Sequence, residues 1–291
     1  MSFKLISLFP DPSWDDIVKA VENGHSLDNA GRNHVELNWH GVFNGVFPSQ
    51  EQLIILKKGG LLECRADSSS NLGMTRNTLL NWAVFENNIE YINRVLDAGI
   101  NIDLRGFFGL TALNATLDIL SDQKKMPIEA VCFLLEKGAS PNANGLGAVP
   151  QVCFHFVSMQ PNLYKHCSPH EIERLWDAFD RANTNWLAYE GGDQKDGGYP
   201  LQTHLIYEIN RSNATIHQKT AKRLVERGLS FNGRFKMNNR WDSYRSYANR
   251  IGPIQEEFVK EIQTWEKSQV NQKKLQEQTL AVAQGRRSPR F

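Results

Sequence analysis

Residues 78–111 read TLLNWAVFENNIEYINRVLDAGINIDLRGFFGLT and set a pattern that the rest of the chain repeats more loosely. The segment opens with a threonine, and another threonine follows 33 residues later. A run of apolar residues at spacings of three and one predicts one face of a helix: Ile92, Val95 and Leu96. Gly99 stands just after that run, where a helix ends most easily in a left-handed residue.

The same helix-plus-glycine signature recurs at six anchor positions, namely Gly24, Gly59, Gly99, Gly138, Arg181 and Gly228. The threonine opening recurs at Thr111 and, in a looser form, at residues 199–204, where Pro200 is predicted at a first helical position. Asn87-Asn88 interrupts the first unit, because asparagine tolerates the left-handed turn. Each unit is therefore predicted to contain two short helices and an extended loop, which we call a finger.

This pattern resembles the ankyrin repeat, whose unit has about 33 residues and opens with T-P-L-H-x-A. The match is in register over residues 78–142, looser over 199–232, and reduced to the second-helix signature over 13–63 and 148–187. Asn81 and Asn114 replace the usual histidine. The resemblance implies an all-α ankyrin-repeat solenoid of about six irregular helix-turn-helix units with a long C-terminal helix. It implies a divergent member of bacterial or bacteriophage type.

The chain is divided by the same reasoning into an ankyrin-repeat array at residues 1–240, capping helices at 241–284 and a basic, disordered tail at 285–291. The array begins with a half-unit at 1–28. An apolar stripe predicts the helix that covers the last repeat: Ile254, Phe258, Ile262 and Trp265. Beyond Glu266 the helix is predicted to be solvated, because its residues are polar on all sides.

The composition excludes several classes of partner. Lys and Arg number 33 against 32 Asp and Glu, which gives no overall field for nucleic acid or an acidic membrane. No segment has the length of a membrane span or a secretory signal. The four cysteines lack a disulfide spacing, so free buried thiols are predicted. These features favour a soluble, monomeric, cytoplasmic protein without a nucleic-acid or membrane partner. A membrane or nucleic-acid adaptor acting through Arg286-Arg287 remains an alternative.

No phosphate-binding loop, Rossmann fingerprint, nucleophile elbow or HExxH motif is present. The strongest candidate for metal chemistry is a group of soft and imidazole ligands: Cys153, His155, His166, Cys167 and His170. The segment Ser168-Pro169-His170-Glu171 is also a complete helix-capping box. We therefore expect no enzyme, no cofactor and no metal, and keep a metal-dependent enzyme using residues 153–170 as an alternative.

Aromatic residues at finger tips are the clearest sign of an interface, because the repeat usually places polar residues there. The predicted partner-binding residues are Arg105, Phe107, Phe108, Trp186, Tyr189, Tyr199, Phe235 and Trp241. Trp39 and Trp82 lie within predicted helices and are assigned to the core.

The resemblance implies a non-catalytic protein that binds another protein through its fingers and concave face. By analogy with stand-alone ankyrin-like proteins, the interpretation extends to an immunity or inhibitor protein that neutralises a toxin enzyme. A host-directed effector or adaptor is the alternative within the same class. The partner is accordingly a cognate toxin or a host protein.

Overall fold

The structure is a computed structural model, and it describes residues 13–26, 39–64, 78–106, 110–118, 127–143, 152–187, 189–190, 199–237 and 240–283. The chain divides between Thr184 and Asn185 into two compact bodies, which we call the N-terminal and C-terminal bodies. Helices make up most of both, and the predicted all-α repeat class is confirmed. The predicted domain bounds at 240 and 284 stay predictions.

In most repeats of the N-terminal body, a shorter first helix is followed by a longer second helix. They are α1 (Trp14–Glu22), α2 (Trp39–Val42), α3 (Gln50–Lys58), α4 (Leu79–Phe85), α5 (Ile89–Asp97), α6 (Ala112–Asp118), α7 (Ile128–Glu136), α8 (Val152–Ser158), α9 (Gln160–His166) and α10 (Pro169–Arg181). Asn87, with φ 48°, separates α4 from α5 as predicted.

These helices form two rows. The second helices α1, α3, α5, α7 and α10 pack successively against one another, and the first helices α4, α6 and α8 form the other row. Within a repeat, α4 packs on α5 and α6 packs on α7. Fully buried aliphatic side chains fill the space between the rows, among them Leu79, Ala83, Leu113, Val131 and Leu134. The hydrophobic effect thus holds a stack of helix pairs together, since each pair buries its apolar face against the next.

One turn geometry ends the second helix of every repeat. Residues with φ between 57° and 98° occur at Gly24, Gly60, Gly99, Gly138, Asn183 and Gly228. The N–H of Gly99 donates to the carbonyl of Leu96 at 2.8 Å, and the N–H of Ile100 donates to the carbonyl of Val95 at 3.4 Å. This bond pair is the Schellman motif, and the same two bonds recur at all six positions.

Two predicted anchors are wrong by one or two residues. Gly59 stays in the right-handed region as the residue that caps α3, and Gly60 takes the left-handed turn. A side chain at Gly59 would collide with Val21, since an added Cβ would lie 2.6 Å from its Cγ2. At the fifth repeat α10 runs through Arg181, so that Asn183 makes the turn instead. Pro200 also differs from the prediction, because it caps its helix and does not occupy the first helical position.

Acidic side chains join the turn of one repeat to the turn of the next. The N–H of Asn101 donates to Glu63 Oε1 at 3.2 Å, and the N–H of Ser140 donates to Asp103 Oδ1 at 2.9 Å. Each acceptor lies in the turn of the preceding repeat. These bonds give an acceptor to backbone N–H groups that lie beyond the helix ends and have no partner within a helix. They also fix the distance between neighbouring repeats.

The buried threonines at the start of α4 and α6 cap those helices. Thr78 Oγ1 accepts from the N–H of Asn81 at 3.0 Å, and Thr111 Oγ1 accepts from the N–H of Asn114 at 3.2 Å. Thr111 also donates through its hydroxyl to Asn114 Oδ1 at 2.9 Å. Asn114, at a histidine position of the ankyrin pattern, therefore closes hydrogen bonds within its own turn.

The C-terminal body contains two helix pairs and two hairpins: β1 (Tyr189–Glu190), β2 (Tyr199–Pro200), α11 (Leu201–Glu208), α12 (Ala214–Glu226), β3 (Arg234–Met237), β4 (Arg240–Ser243), α13 (Tyr244–Ile251) and α14 (Pro253–Ala283). α11 packs on α12 and α13 on α14, while α11 contacts α13 and α12 contacts α14. β1 and β2 pair antiparallel, as do β3 and β4. The glycine-rich segment 191–198, between β1 and β2, lies outside the described residues.

The long helix α14 packs against α12. Phe258, Val259 and Ile262 are buried, whereas Ile254 and Trp265 of the predicted stripe are half-buried. From residue 267 to residue 280 every side chain is exposed, which agrees with the prediction of a solvated helix. Although α14 has 31 residues, no helix in the described ranges is long and apolar enough to cross a membrane.

Candidate protein-binding surface

The predicted finger of the N-terminal body is described only at its base. Arg105 is half-buried there, and the N–H of Gly106 donates to the carbonyl of Leu110 at 2.9 Å, which closes the loop. Phe107 and Phe108 lie outside the described residues. Their assignment as partner-binding anchors, like that of Arg105, stays a prediction.

Two of the predicted anchors are buried, and their assignment as exposed finger-tip aromatics is corrected. Phe235 is fully buried, with its ring stacked on Tyr244 at 4.8 Å and edge-on to Tyr247 at 5.7 Å between ring centroids. Trp186 retains 6% of its exposure. Successive residues of a strand point to opposite faces, and Phe235 occupies the inner face of β3. The predictions for Trp39 and Trp82 are confirmed, since both are buried.

Two other predicted anchors are exposed. Tyr199 in β2 retains 41% of its exposure, and Trp241 in β4 retains 54%. Tyr189 lies in β1 opposite Pro200, but its side chain is outside the described part of the structure. The C-terminal body therefore presents at least one large aromatic side chain on each hairpin.

A tyrosine cluster beside β2 was not predicted from the sequence. Tyr207 on α11 is 68% exposed, and Tyr247 on α13 is half-buried. Burial raises the pKa of Tyr247, and the proximity of Tyr199 and Tyr207 raises it further, whereas Arg250 lowers it. The guanidinium carbon of Arg250 lies 5.8 Å from the centre of the Tyr247 ring. The spacing of three residues from Tyr247 to Arg250 was the available signal, because it places both on one side of a helix.

Arg250 also fixes the second hairpin to α13. Its guanidinium bonds and pairs with Asp242 Oδ2, and the N–H of Ser243 donates to Asp242 Oδ1 at 2.8 Å. Burial raises the pKa of Asp242, but the hydrogen bonds from Arg250, Ser246 and Ser243 outweigh this effect and hold that pKa below its usual value. Asp242 is therefore committed to this internal contact.

The Cys/His residues at 153–170 do not form a metal site. Cys153 is fully buried in α8, Cys167 is half-buried, and His166 and His170 are exposed. In the described ranges, no three His, Cys, Asp or Glu side chains come together in a way that could hold a metal ion.

Capping accounts for the polar residues at the start of α10. The N–H of Glu171 donates to Ser168 Oγ at 3.3 Å, and Glu171 Oε2 accepts from the N–H of Ser168 at 2.8 Å. This is the predicted capping box, with Pro169 at the first helical position. The predicted burial of the cysteines is also confirmed for Cys64, Cys132 and Cys153.

One histidine of the C-terminal body, His217, is buried without a hydrogen-bond partner among the described residues. His217 on α12 retains 1% of its exposure, and neither ring nitrogen has a hydrogen-bond partner among the described residues. Burial lowers the pKa of His217 to about 4, with a smaller contribution from His204. The ring is therefore held neutral at pH 7 and contributes as part of the packing.

No protein-family model matches the chain, and comparison with curated proteins found no match. Among solved structures, the chain is similar to the crystal structure of EF0377, an ankyrin repeat protein, at 16% identity and a TM-score of 0.35. The alignment covers 62% of this chain and 95% of that chain. The repeat architecture described above rests on the helix rows and turns of this chain itself.

Proposed function

We propose that the chain is a non-catalytic repeat protein that binds another protein through exposed aromatic side chains of its C-terminal body. The observation that supports this is the exposure of Tyr199, Tyr207 and Trp241 on three elements, β2, α11 and β4. Strands β2 and β3 are in contact, so the two hairpins are neighbours. Clustered aromatic side chains next to arginine are typical of the residues that dominate binding energy at protein interfaces.

Rigid support favours the same surface. The β3–β4 hairpin is held from beneath by Phe235, Tyr244 and the Asp242–Arg250 contact, none of which depends on a partner. A surface that is already ordered loses little conformational entropy when it binds, so more of the contact energy appears as affinity.

More specifically, we propose that the chain is an immunity or inhibitor protein that acts in the cytoplasm by covering the active site of a toxin enzyme. Fingers that project aromatic side chains suit such occlusion, because the depth of an active site accepts a protruding side chain. A host-directed effector or adaptor uses the same surface with a different partner. Arg105, Phe107 and Phe108 of the N-terminal finger are proposed as additional contacts.

The test is partner capture with matched variants of the full chain. The tagged protein, Tyr207→Ala/Trp241→Ala and Leu275→Ala/Leu280→Ala are each incubated with lysate of the cells that produce the chain, and bound proteins are quantified by mass spectrometry. The control pair removes two exposed apolar side chains from the solvated part of α14. We expect a partner that is lost only from the Tyr207/Trp241 variant. Equal recovery with all three proteins would contradict the proposal.

The inhibitor role has its own test. A captured enzyme is assayed alone and with increasing amounts of the chain. We expect activity to fall to a plateau at a fixed stoichiometry, and the Phe107→Ala/Phe108→Ala variant to require a higher concentration. Undiminished activity of a saturated complex would rule out inhibition and favour the adaptor role.

A further inference from the structure

The β3–β4 hairpin has two chemically different faces. Its register pairs Lys236 with Trp241 and Arg234 with Ser243, so these side chains share one face. Trp241 and Arg234 are exposed and Lys236 is half-buried, which identifies this face as the outer one. Phe235 and Asp242 pair on the opposite face and are engaged by α13. The outer face therefore carries an indole ring and two cationic side chains, those of Arg234 and Lys236.

Acidic groups near this face are few. Residues 232–250 contain five Lys and Arg residues and one acid, Asp242, which is bonded to Arg250 on the inner face. On the outer face, Arg234 is exposed and makes no ion pair with another described residue. The outer face is thus positively charged as well as aromatic.

The near-zero net charge of the whole chain is the sum of opposite net charges on its two bodies. Residues 185–291 contain 18 Lys and Arg against 11 Asp and Glu, whereas residues 1–184 contain 15 against 21. The C-terminal body therefore carries a net charge of +7 and the N-terminal body −6, which cancel almost completely to +1. The near-zero net charge of the whole chain predicts no electrostatic field that attracts charged partners. The positively charged body that carries the hairpin, however, attracts acidic partners.

We propose that the outer face of the β3–β4 hairpin binds an acidic surface of the partner protein, with Trp241 as the apolar anchor and Arg234 and Lys236 as the groups that contact carboxylates. This inference rests on the proposed protein-binding function and adds the chemistry of the partner. Complementary charge increases the association rate and discriminates between partners, while the buried indole supplies contact area.

An acidic protein fits this face better than a nucleic acid does. Duplex binding draws on a track of roughly six to ten phosphate contacts. The register places only two of the five cations in residues 232–250 on the outer face, Arg234 and Lys236. A small cationic rim around a single tryptophan matches a protein contact region more closely.

The experiment measures binding of fluorescent poly-L-glutamate and of a random glutamate–tyrosine copolymer to the full chain by fluorescence anisotropy. The test variant is Arg234→Glu/Lys236→Glu. Its control, Lys273→Glu/Lys274→Glu, makes the same change of net charge on the exposed part of α14. Circular dichroism checks that each variant is folded. Duplex and single-stranded DNA of similar charge are measured in parallel, and all titrations are repeated at higher salt.

We expect the copolymer to bind more tightly than poly-L-glutamate, because it adds aromatic groups for Trp241. Affinity should fall at least about tenfold in the Arg234/Lys236 variant, stay within about twofold in the control, and weaken with salt. Trp241→Ala should remove the preference for the copolymer.

Equal losses in both double variants would show that the general field, and not the hairpin, is responsible. Tighter binding of either DNA, with the same dependence on Arg234 and Lys236, would replace the acidic protein by a nucleic acid. Absence of polymer binding would overturn the acidic chemistry. Partner capture that still depends on Trp241 would, in that event, leave the protein-binding function standing. Absence of polymer binding, together with partner capture that no longer depends on Trp241, would overturn both the acidic chemistry and the protein-binding function.

Discussion

Glu266 on α14 accepts a hydrogen bond from the backbone N–H of Phe231 through Oε2, at 3.0 Å. Its other oxygen accepts from the hydroxyl of Ser230 at 2.5 Å. Glu63 and Asp103 also accept from backbone N–H groups of turns, but each serves the turn of the following repeat. The terminal helix instead supplies an acidic acceptor to a turn that precedes it in the chain.

Glu266→Ala should destabilise the C-terminal body by about 1–3 kcal/mol, because it leaves the N–H of Phe231 without its acceptor. Urea unfolding followed by circular dichroism measures the change. Glu277→Ala provides the matched control, since Glu277 lies on the exposed part of the same helix and should change stability by less than about 0.5 kcal/mol. Equal effects of the two substitutions would mean that the Glu266 contact is not stabilising.

Packing of α14 gives a second contrast within one helix. Phe258 is 2% exposed and Leu275 is 64% exposed. Phe258→Ala should cost about 3–5 kcal/mol through lost burial and the cavity left behind, whereas Leu275→Ala should be nearly neutral. Thermal and urea unfolding measure both. A small loss from Phe258→Ala would indicate that α14 does not seal the last repeat.

The backbone conformations of two glycines predict different effects of alanine substitution on stability. Gly138 has φ 95°, and an added Cβ meets no atom within 4 Å; the same open space surrounds Gly233, whose φ lies outside the left-handed range. Gly138→Ala should therefore cost about 1–2 kcal/mol from backbone strain alone. Gly233→Ala should be neutral or stabilise the chain by less than about 1 kcal/mol. Tolerance of alanine at both positions, measured by urea unfolding, would contradict the strain argument.

His217 should make stability depend on pH. Its pKa rises from about 4 in the folded chain to 6.5 once burial is lost, so between these values the unfolded chain binds more protons than the folded one. Stability should consequently decrease as pH falls from about 7 to 4, by roughly 3 kcal/mol from this group. Below pH 4 both states are protonated, and His217 causes no further loss.

Comparison of variants isolates that contribution from carboxylates that titrate in the same range. His217→Leu should flatten the decrease between pH 7 and pH 4 by roughly 3 kcal/mol relative to wild type. Free energies of unfolding from urea titrations at each pH give the slopes. Parallel curves for wild type and His217→Leu would show that His217 is not buried in its neutral form.

Local chemistry explains why much of the fold could be predicted. Gly99, Gly138 and Gly228 were identified because a left-handed helix end needs a residue without a Cβ, and the apolar spacing before each one marks the helix. Thr78 and Thr111 marked helix starts for a similar reason, since a hydroxyl at that position replaces a missing hydrogen bond. These signals act within a few residues of chain.

The turns at Gly60 and Asn183 show where local chemistry is insufficient. Two adjacent glycines, or an arginine followed by Ala-Asn, allow more than one end point for a helix. Packing chose between them: at Gly59 the side chain of Val21 leaves no room for a Cβ, so the close contact uses one glycine and the turn uses the next.

The repeat architecture, the capping motifs and the burial of Trp39 and Trp82 could be predicted from the amino-acid sequence, because each depends on periodicity or on a few neighbouring residues. The exposure of individual aromatic side chains could not, because it depends on tertiary contacts. Phe235 and Trp241 are equally plausible finger-tip residues in the sequence, but strand register turns Phe235 inward against Tyr244 and leaves Trp241 exposed. Exposure depends on which face of a hairpin another helix covers, and contacts far apart in the chain set that face.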